Sequence, residues 1–359
     1  MKTFSASATS GAFFYSNSPG VFHHCGIFSL FSSHMKAIVF HRYGPPEVLQ
    51  VSSLPTPSPK AGEVRIQVKA VTVNAGDCEI RSAKIPNTIW FFVRLYFGFF
   101  APRKKILGIY FAGIVDEVGT GVTNFQKGDA IFACSGTLLG AYAQYICMPA
   151  KKAIAIKPKN VDFESASTLG LGLDALHFLR KANIQRGQKV LINGAGGGIG
   201  TIAVQLAKYN GAIVTAVDHT DKHKMLQSIG VDIAIDYTKE NFADRNDKYD
   251  IIFDLVGKKM FRSCIRSLTK NGTLLLANPA GLGQMLRGKL TSLFSRKKVV
   301  SSFATAKARN LQYLQELVEA GHLRPIVDMV FPFTEVVQAH HRVESGQKKG
   351  NVVLHFRDA

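Results

Sequence analysis

Five glycines lie within the seven residues from Gly194 to Gly200, where they interrupt an apolar stretch of the chain. The run 189–193 before them predicts a short buried strand. The apolar spacing over 199–208 predicts a helix whose first turn lies in the glycine cluster. Such a turn leaves backbone N–H groups unpaired, and glycine lets another group approach them without meeting a Cβ atom. The chemistry that fits is the binding of a pyrophosphate.

This glycine turn departs from the strict G-x-G-x-x-G spelling. Ala195 occupies the first position, and Gly197 and Gly200 follow at the expected spacing. A turn of this kind can also join a strand to a helix without binding anything. The cofactor contacts predicted from the turn are Gly194, Ala195, Gly197, Gly198, Ile199 and Gly200.

A carboxylate, Asp218, stands about twenty residues beyond the turn, at the end of the next predicted strand. A carboxylate there accepts the hydroxyls of an adenosine ribose and repels a 2′-phosphate. Lys222 lies four residues further on and could pair with a phosphate. The sequence therefore predicts NAD(P)H as the cofactor, with a slight preference for NAD(H) and with dual use left open.

The elements that position these residues change in character along the chain. From Met35 to about residue 155, short strand patterns and glycine-bearing turns predict a small β-barrel. After Asn160, strand-like runs alternate with helical patterns, which predicts a parallel, doubly wound sheet. The predicted strands are 36–40, 63–73, 108–118, 130–133, 141–148, 189–193, 212–217, 232–235, 249–255, 273–277, 299–303, 327–331 and 351–356. The last two are expected to return to the barrel.

These patterns predict three parts in a chain of 359 residues. Residues 35–155 form the barrel domain, which 322–359 completes, and 156–321 form the nucleotide-binding domain. Residues 1–34 are rich in serine and phenylalanine, lack acids and arginine, and are interpreted as a non-structural leader. A targeting segment, a tag and an upstream start codon remain alternatives for this leader.

Composition limits the classes of function. The chain has 46% apolar and 19% charged residues, and no apolar run of the roughly 20 residues that a membrane span needs. The net charge of +19 suits nucleic acid or an anionic surface, but no nucleic-acid recognition motif accompanies it. The five cysteines form no C-x-x-C pair, which predicts a cytoplasmic protein without a metal site.

Two apolar and basic stretches have no assigned role. The aromatic stretch 89–101 is interpreted as a helix packed on the barrel, a flap over the substrate or a contact with a membrane surface. The stretch 281–298 is interpreted as a substrate loop or, preferably, a solvated connection.

Four stretches together resemble one family. They are MKAIVFHRYGPPEVLQV, VTVNAGDCEIRSAK, ILGIYFAGIVDEVGTGVTNFQKGDAIFA and the glycine turn with its flanking strands. The chain is similar to the medium-chain dehydrogenase/reductase superfamily, and within it to the zinc-independent quinone oxidoreductase branch that includes zeta-crystallin. The resemblance implies a GroES-like barrel, a Rossmann domain, an active site between them and a homodimer.

The positions of the zinc ligands in other members of the superfamily hold different residues here. Asn74 replaces a cysteine, and Gly108-Ile109-Tyr110 replaces the segment with a His-Glu pair. A hydride acceptor without a metal must hold negative charge itself, as quinones and α,β-unsaturated carbonyls do. A reductase of these substrates is the leading interpretation. The alternatives are a zinc-independent alcohol dehydrogenase and a nucleotide-binding protein that acts on RNA or an anionic surface.

The resemblance also assigns candidate residues to the site. Asn74 is predicted to contact the substrate or nicotinamide, or to cap a turn. Asp77 either orients the site or caps a helix that starts near Cys78, and Tyr110 donates a hydrogen bond or a proton. Asp174 stands where the family commonly has a threonine beside the nicotinamide. Further cofactor contacts are expected at later strand ends, at Val256 and Asn278.

Overall fold

The computed structural model describes residues 34–84, 94–257, 260–279 and 281–356. The leader predicted for 1–34 lies outside these residues except for His34, which belongs to the first strand. Residues 85–93, which include the first part of the aromatic stretch, also lie outside them.

The first half of the described chain is mostly β-structure. Strand β3 shows why, because its residues alternate between half-buried and buried along most of its length, as expected of a strand with one face on a core. Its elements are β1 (His34–Val39), β2 (Gln50–Pro55), β3 (Glu63–Val73), α1 (Ala75–Ser82), β4 (Tyr110–Val118), β5 (Ala130–Cys134), β6 (Tyr145–Pro149) and β7 (Ala153–Ile156).

The middle of the chain alternates between helices and buried strands. Its elements are α2 (Phe163–Thr168), α3 (Gly172–Ala182), β8 (Lys189–Asn193), α4 (Gly198–Tyr209), β9 (Ile213–Asp218), α5 (His223–Ser228), β10 (Ile233–Asp236), β11 (Tyr249–Asp254), α6 (Phe261–Ser267), β12 (Leu268–Leu276), α7 (Leu282–Phe294), β13 (Lys298–Val300) and α8 (Ala308–Glu319). The last elements are β14 (Val327–Pro332), α9 (Val336–Glu344) and β15 (Asn351–His355).

The strands of the middle part form one parallel sheet in the order β10-β9-β8-β11-β12-β13. The chain moves outward from β8 to β10 and then returns to the other side of β8 with β11. Ligands of such sheets bind where the strand order reverses, at the carboxyl ends of the strands. The end of β8, where the glycine turn begins, lies at this reversal.

The other large sheet has the order β14-β15-β3-β4-β5-β7, with β6 also paired to β3, and β1 and β2 form a separate pair. Strand β15 is antiparallel to β3 and brings the end of the chain back to the barrel sheet. The predicted α/β fold class, a GroES-like barrel with a Rossmann sheet, is confirmed. The domain limits 35–155, 156–321 and 322–359 stay a prediction.

Several elements differ from the sequence prediction, which omits β2 and β7, begins β12 at 273 instead of Leu268 and ends β13 at 303 instead of Val300. Strand β4 begins at Tyr110 rather than 108, because Gly108 has a φ of +92° that does not continue a strand. Strand β6 begins at Tyr145 rather than 141, because the N–H of Tyr142 donates to Leu107 in a loop. The stretch 281–298 contains the helix α7 (Leu282–Phe294) rather than the predicted solvated connection.

Candidate functional site

A cleft of about 1360 Å³ opens where the two large sheets meet. The barrel part contributes Asn74 and Tyr110, and the parallel sheet contributes the glycine turn and Asp218. The segment that leads into β15 contributes Lys348, and the first residue of β15 contributes Asn351. The cleft is therefore built from parts of the chain that lie far apart in sequence.

The glycine turn has the geometry that a phosphate site needs. The helix α4 begins at Gly198, its N-cap residue is Gly197, and no side chain caps it. Its first N–H groups therefore remain available as donors for an anion. Gly194 has a φ of +86°, which favours glycine, and a Cβ atom on Gly200 would lie 2.5 Å from the carbonyl oxygens of Gly194 and Ala195.

Five of the six predicted contacts in the turn line the cleft, and Ala195 does not. Ala195 is fully buried and packs in the core around the parallel sheet. Its Cβ atom therefore does not obstruct the phosphate position, which accounts for an alanine where the strict pattern has glycine. A pyrophosphate fits this cradle.

Asp218 and Lys222 form a buried ion pair at one end of the cleft, with 2.8 Å between Oδ1 and Nζ. The other carboxylate oxygen, Oδ2, accepts the N–H of Gly196 at 2.7 Å. Lys222 also donates to the carbonyl of Gly346 at 3.0 Å. Both predicted residues thus lie at the cleft, but Asp218 is already occupied by donors of the protein.

Lys348 adds a second cation to this end of the cleft and was not predicted. Its Nζ atom donates to the carbonyl of Gly350 at 2.7 Å. Burial, followed by the charge of Lys222, lowers its pKa to about 8. The carboxylates that act on Lys348 are Asp328, which pairs with Arg342, and Asp218, which pairs with Lys222. The charge of Lys348 is thus not matched by a carboxylate of its own, so an additional anionic group would be stabilised here.

Asn74 lines the cleft from the barrel side and caps the helix α1. Its Oδ1 atom accepts the N–H of Asp77 at 3.2 Å, and its Nδ2 atom donates to Oδ2 of Asp77 at 2.6 Å. This capping box fixes the orientation of the amide group. An amide nitrogen carries two hydrogens, so the second remains available for a ligand. Helix α1 begins at Ala75, three residues before the predicted start near Cys78.

Asp77 lies behind Asn74 rather than in the cleft lining, and it is fully buried. Besides the bonds from Asn74, it accepts the N–H of Gly108 at 3.1 Å. Burial raises its pKa to about 7, and hydrogen bonds from Asn74, Gly108 and Tyr142 oppose that rise. Of the two predicted roles, the structure provides the cap, through which Asp77 also holds Asn74 in position.

A buried chain of polar groups continues from Asp77 into the barrel. The hydroxyl of Tyr142 lies 3.2 Å from Nε2 of His340, and Nδ1 of His340 lies 3.3 Å from Sγ of Cys78. Burial, aided by the charge of Arg81, lowers the pKa of His340 to about 3, so its ring is neutral. One arrangement pairs every group: Cys78 donates to His340, His340 to Tyr142, and Tyr142 to Asp77.

Tyr110 and Asp174 face each other in the cleft, and the hydroxyl of Tyr110 donates to Oδ2 of Asp174 at 3.1 Å. Burial and the charge of Asp174 raise the pKa of Tyr110 well above its ordinary value, so the phenol donates hydrogen bonds rather than protons. Burial also raises the pKa of Asp174, which the hydrogen bond from Tyr110 opposes. Gly170 makes room for the Tyr110 ring, because a Cβ atom there would lie 2.4 Å from it.

The two residues predicted at later strand ends have different positions. Val256 lines the cleft, and its N–H donates to Asp254 at 3.2 Å. Asn278 is exposed and outside the lining, while its neighbour Ala277 lines the cleft. The carbonyl of Asn278 lies beside Gly257, where a Cβ atom would come within 1.9 Å of it.

Within residues 34–84, 94–257, 260–279 and 281–356, no three His, Cys, Asp or Glu side chains form a group that could hold a metal. His340 is buried, whereas its neighbour His341 is exposed beside Glu47, so the two side chains point apart. The same ranges contain no helix with the length and apolar character to cross a bilayer.

Two family models match the chain. The model described as alcohol dehydrogenase GroES-like domain matches 60–158, and the model described as zinc-binding dehydrogenase matches 229–354. The second match does not include Asn74 or Ile109, which stand at the zinc-ligand positions of the related enzymes.

Curated relatives and solved structures extend the match to nearly the whole chain. The 2-methylene-furan-3-one reductase of Solanum lycopersicum is 32% identical over 336 residues, which cover 90% of this chain and 79% of the relative. The chloroplastic NADPH-dependent alkenal/one oxidoreductase of Arabidopsis thaliana is also 32% identical, with 89% and 79% covered. The structure of the quinone oxidoreductase from Coxiella burnetii has a TM-score of 0.82 at 29% identity, and the match covers 90% of this chain and 100% of that one.

The fold, the cleft and these matches define an oxidoreductase that uses a nicotinamide dinucleotide. The chain belongs to the medium-chain dehydrogenase/reductase superfamily, in its quinone and enone reductase branch.

Proposed function

We propose that the protein reduces an α,β-unsaturated carbonyl compound or a quinone with NAD(P)H. The observation that carries this proposal is one cleft that combines an uncapped glycine turn with Asn74, Tyr110 and Asp174. When bound, the cofactor supplies a hydride from its nicotinamide ring. The names of the two relatives at 32% identity support the same reaction class.

Asn74 and Asp174 have separate roles in this proposal. Addition of a hydride to the β-carbon of an enone leaves negative charge on the carbonyl oxygen and the α-carbon. The second side-chain N–H of Asn74, which Asp77 does not use, donates to that oxygen, as in an oxyanion hole. Asp174, whose pKa burial raises, gives a proton to the α-carbon and completes the saturated carbonyl product.

Replacing Asp174 with asparagine is expected to lower kcat for an enone about thirtyfold at neutral pH, because the proton donor is lost. In the native enzyme the rate should fall as pH rises through the pKa of Asp174, since only the protonated acid is active. Tyr110→Phe removes a bond that stabilises the ionised carboxylate and should move this fall to higher pH. An unchanged pH profile in both variants would remove Asp174 from the mechanism.

We further propose that the cofactor site accepts NADPH and favours it, although Asp218 alone indicates NADH. This proposal is supported by the contacts of Asp218, whose two carboxylate oxygens already bind Lys222 and the N–H of Gly196 and so are not free to accept the ribose hydroxyls of NADH. Lys222 and the nearby Lys348 can both face a 2′-phosphate.

The cofactor preference is tested by replacing Lys222 with methionine. NADPH binding should weaken about tenfold more than NADH binding, because only NADPH carries the phosphate that this lysine neutralises. Lys224→Met is the matched control, since Lys224 is exposed and outside the cleft lining. Equal losses of affinity for the two cofactors, or a larger loss for NADH, would show that Lys222 does not neutralise a 2′-phosphate. Either result would favour NAD(H), the cofactor that Asp218 alone indicates. Titration of cofactor fluorescence measures both affinities.

Turnover of enones, quinones and simple alcohols with each cofactor tests the reaction class. We expect enones and quinones to oxidise NAD(P)H, and we expect alcohols not to reduce NAD(P)⁺. We also propose that the protein is a homodimer, which the family resemblance supports. A cytoplasmic location is supported by four unpaired thiols among the described cysteines, Cys78, Cys134, Cys147 and Cys264. Light scattering and cell fractionation test these two points.

A further inference from the structure

The described part of the aromatic stretch, residues 94–101, carries large apolar side chains on the outside of the barrel and is called the aromatic loop. Its exposed members, which reach 91% exposure at Phe100, are Leu95, Tyr96, Phe99 and Phe100. The loop does not line the cofactor cleft, so it is separate from the site described above. Exposed apolar groups gathered in so short a stretch mark a contact site for something outside the fold.

Contacts with the barrel hold the aromatic loop in place. The guanidinium of Arg94 lies over the ring of Tyr43, 4.0 Å from its centre, and the Tyr43 hydroxyl donates to the carbonyl of Gly98 at 2.7 Å. The ring of Phe97 packs against the barrel core. The carbonyl of Phe97 accepts the N–H of Arg103 at 2.8 Å. Because the loop is attached through these groups, its other aromatic side chains are held in solvent.

A surface cavity of about 460 Å³ opens beside the aromatic loop. The basic residues that line this basic cavity are His41, Arg103, Lys104 and Lys105. Its lining contains no carboxylate, and within the residues that the structure describes no ion pair joins Arg103 or the two lysines to an acid. Lys104 connects the cavity to the loop, because its Nζ atom lies 5.3 Å from the centre of the Tyr96 ring. An anionic group is therefore stabilised next to the exposed aromatic side chains.

The charge of the sequence around the aromatic loop has one sign. The 36 residues from Ile80 to Val115 contain six lysines or arginines and no aspartate or glutamate. Three of these six cations, at 103–105, follow the loop directly and line the basic cavity. An anionic surface complements this arrangement, because each cation near such a surface strengthens binding.

We propose that the aromatic loop and the basic cavity together dock the protein on an anionic lipid surface. The four exposed side chains of the loop enter the boundary between headgroups and acyl chains, where aromatic rings are favoured. The phosphate of a lipid headgroup enters the basic cavity and contacts Arg103, Lys104 and Lys105. The contact is peripheral and places the protein on the surface without spanning it.

Two other occupants fit the observations less well. A second copy of the chain, in a two-fold contact through this surface, would bring two basic cavities close together, and like charges repel. RNA would suit the cations, but its bases stack on flat aromatic faces along a basic groove. The rings of Phe99 and Phe100 instead meet edge to face, at 71°, and Leu95 offers no stacking surface. A lipid surface uses both the apolar side chains and the cations.

The test is flotation of the full chain with vesicles of phosphatidylcholine, with or without about 30% phosphatidylserine. Binding is expected only with phosphatidylserine, and it should weaken when salt rises from about 0.1 M to about 0.5 M. Arg103→Gln with Lys105→Gln should weaken it about thirtyfold, since each cation contributes about fivefold. Phe99→Gln with Phe100→Gln should weaken it at least as much, because two aromatic rings no longer leave water on binding.

Matched variants separate the assigned surface from general effects. Met329→Gln removes an exposed apolar side chain elsewhere, and Lys127→Gln with Lys151→Gln removes two exposed lysines, so both should bind like the native chain. Thermal midpoints show whether each variant is folded. Full vesicle binding by folded variants of the loop and the cavity would overturn the proposal. If the native chain bound a single-stranded RNA oligonucleotide but no vesicles, or if the loop variants lost self-association instead of vesicle binding, the surface would belong to another occupant and the proposal would also be overturned.

Discussion

Gly197→Ala is expected to weaken NAD(P)H binding about a hundredfold, while the thermal midpoint of the apoprotein stays within about 1 °C. A Cβ atom at Gly197 would have only the carbonyl oxygen of Gly194 within 4 Å, at 3.6 Å, so the fold accommodates it. The same Cβ atom would stand at the N-cap of α4, where the pyrophosphate must approach the backbone. Loss of hydrogen bonds to a charged group accounts for the size of the effect.

Gly200→Ala is the informative partner of this variant. Its Cβ atom would lie 2.5 Å from two backbone carbonyl oxygens, so the turn itself must shift. We expect a loss of about 2 kcal/mol in the free energy of unfolding together with the loss of cofactor binding. Calorimetry of cofactor binding and thermal unfolding of both apoproteins provide the comparison. Tight NAD(P)H binding by Gly197→Ala would show that the pyrophosphate does not occupy the glycine turn.

Asp77→Ala is expected to lower the free energy of unfolding by about 3 kcal/mol and to reduce kcat at least tenfold, with little change in cofactor affinity. The substitution leaves the buried N–H of Gly108 and the side-chain amide of Asn74 without their acceptor. Asn74 then loses the capping box that holds its amide at the cleft. Asp77→Asn keeps one acceptor oxygen and should recover most of the stability. Denaturant unfolding and steady-state kinetics measure the two effects.

The free energy of unfolding should also depend on pH, and the raised pKa of Asp77 fixes the sign of this dependence. The folded protein retains the proton of Asp77 up to about pH 7, whereas the unfolded chain releases it near pH 4. Stability from this group is therefore greatest at low pH and is lost as pH rises between these values. Asp77→Asn cannot ionise, so the difference between wild type and this variant should show that slope. A difference that does not vary with pH would mean that Asp77 is ionised throughout.

The sequence predicts those parts of the site that depend on local patterns. The strand, glycine turn and helix at 189–208 form one continuous unit, and Asp218 follows at the end of the next strand. Lys348 has no such local signal, because it reaches the cleft only through the pairing of β15 with β3, across most of the chain. The contacts of Tyr142 and His340 with the groups behind Asn74 likewise join elements far apart in sequence.

The helix α7 shows a different limit of sequence patterns. The length and basic character of 281–298 favour a solvated connection, although the leucine spacing is helical. Its glycines and serines also have low helix propensity. Periodicity identifies an apolar face but does not say whether that face meets the core or solvent. The side of attachment here depends on the close fit of Gly288 to Val299, which is a property of the folded chain.

The end of the chain contributes directly to the cofactor turn. The N–H of Gly350 donates to the carbonyl of Gly196 at 2.8 Å, and Asn351 begins the strand that pairs with β3. During synthesis, the glycine turn leaves the ribosome about 150 residues before this partner does. The dinucleotide site is therefore completed only after Gly350 and the strand that follows it have been synthesised, so a chain terminated before them lacks one wall of it.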